Sequence, residues 1–202
     1  MKRLGILLSG RGSNFLAIHR AISLGKLKDA EIAVVLSNRA TAPGLAAARE
    51  LGIPALAIPA GHLTPAQRDA EFVARLREYE VDLVCLAGYM RLLSPGFVEA
   101  FPNRILNIHP SLLPAFPGLD AQSQALEFGV KITGCTVHFV DQHLDHGVIV
   151  LQRTVAVEDN DTDETLAARI LIEEHNAYPE AIARVLSGQW TIAGRRYLRG
   201  AV

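Results

Sequence analysis

Ile105-Leu106-Asn107-Ile108-His109-Pro110-Ser111-Leu112-Leu113-Pro114 is an apolar run that carries an amide and an imidazole two residues apart. Side chains alternate along an extended chain, so Asn107 and His109 share one face and Ile108 takes the other. Pro110 cannot donate to a strand ladder and Pro114 stiffens the chain beyond it, so the strand stops here. Two polar side chains on one face make a poor core. They make a good place to present a hydrogen-bond donor beside a titratable group, at the strand end where open α/β sheets bind ligands.

Toward the N-terminus, short apolar runs alternate with helical periodicity. Residues 4–8 form a strand-like run, the turn Ser9-Gly10-Arg11-Gly12-Ser13-Asn14 follows, and apolar spacing through Phe15, Ala17, Ile18, Ala21 and Ile22 is helical. A strand over 32–36, an alanine-rich helix over 43–51 and a strand over 55–58 come next, each bounded by Gly or Pro. Thr64-Pro65-Ala66-Gln67 opens a helix with a capping Thr, Pro in the first turn and Gln three residues past the cap. A strand over 82–87 and a short helix opened by Ser94-Pro95 lead to the Asn107/His109 strand. Strands alternating with helices, in runs too continuously apolar to keep a wet face, specify an α/β fold. The expected form is a Rossmann-like, mostly parallel sheet with helices on both faces.

Beyond Pro117-Gly118 the pattern changes to a helix over 121–128, a strand over 132–140, a loop over 141–147 and a strand over 148–157. Two strands joined by a polar loop predict an antiparallel addition in the C-terminal half. Asp161-Thr162-Asp163-Glu164 caps a long helix reaching about residue 186, with a kink expected at Tyr178-Pro179 and Gly188 past its end. On its wheel Glu174 and His175 fall among Leu166, Ala167, Ile170, Leu171 and Tyr178. A carboxylate on that arc needs a partner, either a structural hydrogen bond or a cationic or hydroxyl-bearing substrate.

The chain has 202 residues, half of them hydrophobic, which suits a single domain, 1–202, with halves 1–100 and 101–202. Its 20 basic and 21 acidic residues nearly cancel, leaving no field that would gather nucleic acid or an anionic membrane, so the expected partners are small molecules. Cys85 and Cys135 lie in apolar runs without CxxC spacing, as reduced core thiols of a cytoplasmic protein do. Neither a signal-type segment nor a membrane-length apolar run is present. Monomer and homodimer both remain open.

The turn Gly10-x-Gly12-x-x-Phe15 lacks the third glycine of a dinucleotide fingerprint, and the second strand ends in Ser37-Asn38-Arg39 where a ribose-binding acid belongs. A turn at a helix N-terminus with Gly12, Ser13 and Asn14 suits one phosphate monoester instead. A reductase with Arg39 on the 2′-phosphate of its nicotinamide, and a binder of phosphorylated metabolites without catalysis, stay open as alternatives. Asp145 can reach the His109 crevice from the 141–147 loop. His138, His143 and His146 with Asp141 and Asp145 are suitable metal ligands, but their spacing matches no familiar zinc pattern, so no metal is expected.

Asn107-x-His109-Pro110-Ser111-Leu112-Leu113-Pro114, then Pro117-Gly118 and Asp145 in a Leu-Asp-x-Gly loop, resembles the formyltetrahydrofolate-dependent formyltransferases. Ser9-Gly10-x-Gly12-Ser13-Asn14 and Leu86-Ala87-Gly88-Tyr89-Met90-Arg91-Leu92-Leu93-Ser94 sharpen the resemblance to the members of purine synthesis, and it runs to Glu174-His175-x-x-Tyr178-Pro179. The resemblance implies formyl transfer from 10-formyltetrahydrofolate, as co-substrate, to the amine of glycinamide ribonucleotide. It implies that Asn107, His109 and Asp145 are catalytic, and that Gly12, Ser13, Asn14 and Glu174 bind the ribonucleotide. It further implies that Met90, Arg91, Leu92, Leu93, Asn107, Asp141, Gln142, His143, Leu144 and Asp145 line the folate pocket. The chain departs from the family pattern at Leu119-Asp120-Ala121-Gln122, where histidines are usual, at His146 in place of a glycine, and at Pro65 in place of an arginine.

Overall fold

The computed structural model describes residues 1–59 and 61–200, and the chain divides into two compact units, 1–106 and 107–202. The first unit runs β1 (Lys2–Leu8), α1 (Ser13–Ser23), β2 (Ala30–Ser37), α2 (Pro43–Glu50), β3 (Ala55–Ala57), α3 (Pro65–Glu78), β4 (Leu83–Leu86) and α4 (Pro95–Ala100). Its strands lie in the order β3-β2-β1-β4, and every pair is parallel. Leu4, Ile6, Leu7 and Leu8 of the central strand are wholly buried, as a strand covered on both faces requires. The capping box expected at Thr64 is formed: its hydroxyl accepts from the Gln67 N–H, and the Gln67 side chain takes the Thr64 N–H.

The strand of the opening motif is β5 (Ile105–His109), at whose centre the division between the units falls. The second unit continues with α5 (Ala121–Phe128), β6 (Ile132–Phe139), β7 (Ile149–Ala156), α6 (Asp163–Leu186), β8 (Trp190–Ala193) and β9 (Arg196–Arg199), and its strand order is β5-β6-β7-β9-β8. β6 and β7 pair antiparallel as expected, and α6 packs across both. The α/β expectation therefore holds, with a parallel sheet first and antiparallel strands in the C-terminal half. α6 starts at the Thr162 capping box and continues through Tyr178-Pro179 without a break.

The hairpin of β8 and β9 is an addition that no local sequence pattern announces. It turns on Gly194-Arg195, with Gly194 at φ 61°, and β9 extends the sheet by one parallel pair with β7, Ile149 to Arg196. Strands of four residues carry little signal of their own. These are held by aromatic contacts, Trp190 stacked on Tyr197 with ring centres 5.6 Å apart and Phe139 tilted against Trp190 at 5.2 Å.

Candidate active site

β5 delivers Asn107 and His109 to one place, as alternation requires. The His138 Nδ1 lies 2.8 Å from the Phe139 carbonyl, which only accepts, so Nδ1 carries the proton and Nε2 keeps a lone pair. Asn107 donates an Nδ2–H to that nitrogen at 3.3 Å, which orients the amide and leaves its second N–H for another acceptor. Burial holds the His138 pKa below its ordinary value; the Phe139 carbonyl and the Asp145 carboxylate push it the other way without reversing the direction. The neutral ring is the one the Asn107 bond requires.

His109 is buried and just as firmly set. Its Nε2–H donates to the Phe116 carbonyl at 2.8 Å, so Nδ1 is the ring nitrogen left for another partner. Nδ1 faces Asp145 Oδ2 at 3.4 Å, longer than a tight hydrogen bond. That leaves room for a third group to share the donor. The segment after His109 is tied to the neighbouring strands through Thr136 of β6: its hydroxyl donates to the Ser111 carbonyl at 2.7 Å and accepts from the Leu113 N–H at 3.0 Å, while Gln152 of β7 donates to both the Leu113 carbonyl and the Thr136 hydroxyl. Prolines set where the strand stops, and these bonds set where its exit goes.

Asp145 arrives on the 140–147 segment, which closes when the Phe139 N–H donates to the Val148 carbonyl. Gly147 runs so close to the Phe139 carbonyl that a Cβ there would fall on its oxygen, so no other residue fits without moving the backbone. Asp145 itself adopts a left-handed φ of 48°, which Asp tolerates better than most residues. Its Oδ2 accepts the Gly118 N–H at 2.9 Å, and only 7% of its side chain is exposed. The carboxylate is thus fixed between His109 and His138, whose Nε2 is 3.8 Å from Oδ1.

In the first unit, Gly12 is the N-cap of α1 at φ 75°, Ser13 begins the helix and the Asn14 side chain is buried. The turn is tied to the segment after β4. The Ser9 hydroxyl accepts the Met90 N–H at 2.9 Å and donates to Asn38 at 2.7 Å, and the Ser9 N–H donates to the Gly88 carbonyl. Met90 and Leu92 expose their apolar side chains there, and Arg91 is exposed beside them. Asp69, buried on α3, holds the end of the same segment by accepting the Ser94 N–H at 2.6 Å.

In the second unit, Glu174 is buried on the face of α6 toward β6. Burial pushes the Cys135 thiol of that strand up to about 12, and the negative charges of Glu174 and Glu173 add to the rise. Of the remaining loop residues, Gln142, His143 and Leu144 are exposed and Asp141 is partly so. At the family departures, Asp120 caps α5 in a left-handed conformation and Leu119 is exposed. Sequence reasoning missed His138 as a partner of Asn107, and Thr136 with it. Both lie on one face of β6 by alternation, and that is the signal that marks them once β6 lies beside β5. Among the described residues, no helix is long and apolar enough to cross a membrane.

Comparison with known proteins places the chain in context. A family model described as formyl transferase matches residues 2–182. The chain is 44% identical over 191 residues to the trifunctional purine biosynthetic protein adenosine-3 of Drosophila melanogaster; the match takes in 93% of this chain but only 14% of that protein. It is 40% identical to the phosphoribosylglycinamide formyltransferase of Bacillus subtilis, over 92% of this chain and 95% of that one. The crystal structure of glycinamide ribonucleotide transformylase 1 from Symbiobacterium toebii superposes with a TM-score of 0.97 at 52% identity, covering all of this chain and 95% of that one.

Proposed function

The chain belongs to the formyl transferase family, and from that membership we propose that it transfers the formyl group of 10-formyltetrahydrofolate to the amine of glycinamide ribonucleotide, in de novo purine (IMP) biosynthesis. The observation that carries this reading is the 40% identity to the Bacillus subtilis enzyme over nearly the whole of both chains. The geometry around β5 is what such a transfer needs. The amine attacks the formyl carbon, the carbonyl electron pair moves onto oxygen, and collapse of the tetrahedral intermediate breaks the bond to the folate nitrogen. Neither a Ser nor a Cys nucleophile is required, and the reading assigns no metal to the transfer.

Asn107 spends one N–H on His138 and aims the other at the formyl oxygen as its negative charge grows. His109, protonated at Nδ1, is the second donor and the proton source, and Asp145 faces that nitrogen and orients the ring. The proton lost by the attacking amine reaches the folate nitrogen through this pair and a bound water. Gly12, Ser13 and Asn14 hold the ribonucleotide phosphate and Glu174 contacts the same substrate. Met90, Arg91, Leu92, Leu93 and residues 141–145 line the folate pocket. The chain works as one formyltransferase domain, as a monomer or homodimer in the cytoplasm, on small molecules and not on nucleic acid.

The test is the absorbance change that accompanies conversion of 10-formyltetrahydrofolate to tetrahydrofolate, followed with and without glycinamide ribonucleotide. Turnover that requires the ribonucleotide and yields its formyl derivative is expected. Formate release without it would make the chain a hydrolase, and binding without turnover would make it a binder.

A further inference from the structure

The loop that carries Asp145 inward holds a second cluster on its outer side. Asp141, His143 and His146 bring one ligand atom each to within 4.8 Å of the others. Asp141 Oδ2 lies 2.8 Å from His146 Nδ1, Asp141 Oδ1 lies 3.8 Å from His143 Nδ1, and the two rings meet edge to face with centres 5.1 Å apart. Around a tetrahedral zinc ion with bonds of about 2.0–2.2 Å, neighbouring ligand atoms sit about 3.3 Å apart. The two carboxylate–imidazole separations bracket that spacing and no ligand pair exceeds 4.8 Å, so rotamer shifts of these exposed side chains bring all three onto one ion. A fourth position is left for water.

We propose that Asp141, His143 and His146 form a binding site for a divalent transition-metal ion of the Zn²⁺ type. Two imidazoles and one carboxylate suit zinc, nickel or copper, whereas Mg²⁺ and Ca²⁺ demand oxygen ligands. The carboxylate is already oriented, because Asp141 Oδ1 also accepts the His143 backbone N–H at 2.8 Å. All three ligands fall within six residues of one loop, so the ion would cross-link the loop to itself.

Arg195, in the turn of the C-terminal hairpin, opposes the ion in a definite way. Its Nη1 lies 2.9 Å from His146 Nε2, and its Nη2 donates to the His146 carbonyl. In that state Arg195 donates to Nε2 and the Nδ1–H of His146 donates to Asp141. Metal ligation at Nδ1 removes that proton and puts one on Nε2, leaving the ring neutral and confronting Arg195 with another donor. Arg195 must then leave, and its positive charge opposes the ion meanwhile.

The functional consequence rests on the reading that residues 141–145 line the folate pocket: a loop cross-linked by metal competes with folate. Binding and consequence are tested separately. The purified chain, stripped with chelator, is titrated calorimetrically with zinc sulfate, and magnesium serves as control. One zinc per chain is expected, with a dissociation constant on the order of micromolar. Binding should weaken at least tenfold in His143→Ala and in His146→Ala and tighten several-fold in Arg195→Ala, with no heat from magnesium. Circular dichroism and the thermal midpoint verify that each variant is folded. Cobalt should give the absorption of a tetrahedral site in the parent chain and lose it in the double histidine variant. Absence of a stoichiometric zinc site, or zinc and cobalt binding undiminished in a folded double variant, overturns the proposal. If the zinc site is present but leaves the KM for 10-formyltetrahydrofolate unchanged, the site stands and the assignment of this loop to the folate pocket fails.

Discussion

Asp145 and Asp141 lie four residues apart on one loop, and each faces two histidines, yet the two clusters are different chemical objects. Asp145 is 7% exposed, takes a backbone N–H from Gly118 and sits between buried His109 and His138. Asp141 is 39% exposed and faces His143 and His146, which stand in solvent. Ring tautomers in the inner cluster are dictated by fixed backbone carbonyls, at Phe116 and Phe139. In the outer cluster the side chains stand in solvent, and their charges are screened by water. Hydrogen bonding to Asp141, chiefly from His146, keeps its carboxyl below the usual carboxylate range despite partial burial. Identical residue types thus stand in a buried, fixed arrangement on one side and an exposed one on the other, and burial is what separates them.

Disturbing the inner cluster should produce the largest effect. His109→Ala, or Asp145→Asn, which keeps an acceptor for the Gly118 N–H, is expected to lower kcat by about 10²–10³ while KM for either substrate shifts only a few-fold. Near-normal kcat in both variants would remove the pair from the chemistry. Next comes the scaffold of that cluster. Thr136→Val leaves the buried Leu113 N–H without its acceptor and should cost about 1–3 kcal/mol in urea unfolding, together with turnover lost through a displaced Pro110 to Pro114 segment. An unchanged unfolding midpoint would mean that the exit of β5 is held by other means.

A smaller and pH-dependent effect belongs to His138. Its folded pKa is depressed by burial, so below the unfolded value of about 6.5 the unfolded chain binds more protons than the folded one. Stability is therefore complete above that pH and falls as pH drops through the window toward the folded pKa. His138→Gln should flatten this part of the profile, measured as unfolding midpoints of both proteins between about pH 5 and 8. A parent profile without any fall below about pH 6.5 would contradict a neutral, buried His138. The least effect is expected outside: Asp141→Asn should change unfolding free energy by less than about 1 kcal/mol, and this too is read in urea. A loss as large as that of Thr136→Val would erase the contrast between the two sides of the loop.

Much of this arrangement is legible in the chain itself. The period-two spacing of Asn107 and His109 puts them on one face, the prolines end the strand, and the apolar runs of the first half announce a parallel sheet. Thr64 and Thr162 mark helix starts because the capping chemistry is local. In the sequence His138 is only one histidine among several, since its bond to Asn107 depends on β6 lying beside β5, a pairing between residues 31 positions apart. The β8–β9 hairpin is silent in the sequence for a related reason: its strands are short and half-exposed, and aromatic contacts with Phe139 hold them.

The sequence by itself therefore determined the α/β class, the strand that carries the amide and imidazole, the loop that carries their carboxylate and the family to which the chain belongs. The class, the strand and the loop follow from periodicities and local turn chemistry, which act over a few residues, and the family from the resemblance its motifs carry. Only the tertiary structure decided which aspartate meets which histidines, which ring nitrogen carries the proton, and that Arg195 of the last hairpin stands against His146. Those outcomes depend on burial and on distances between segments remote in sequence, which no local pattern encodes.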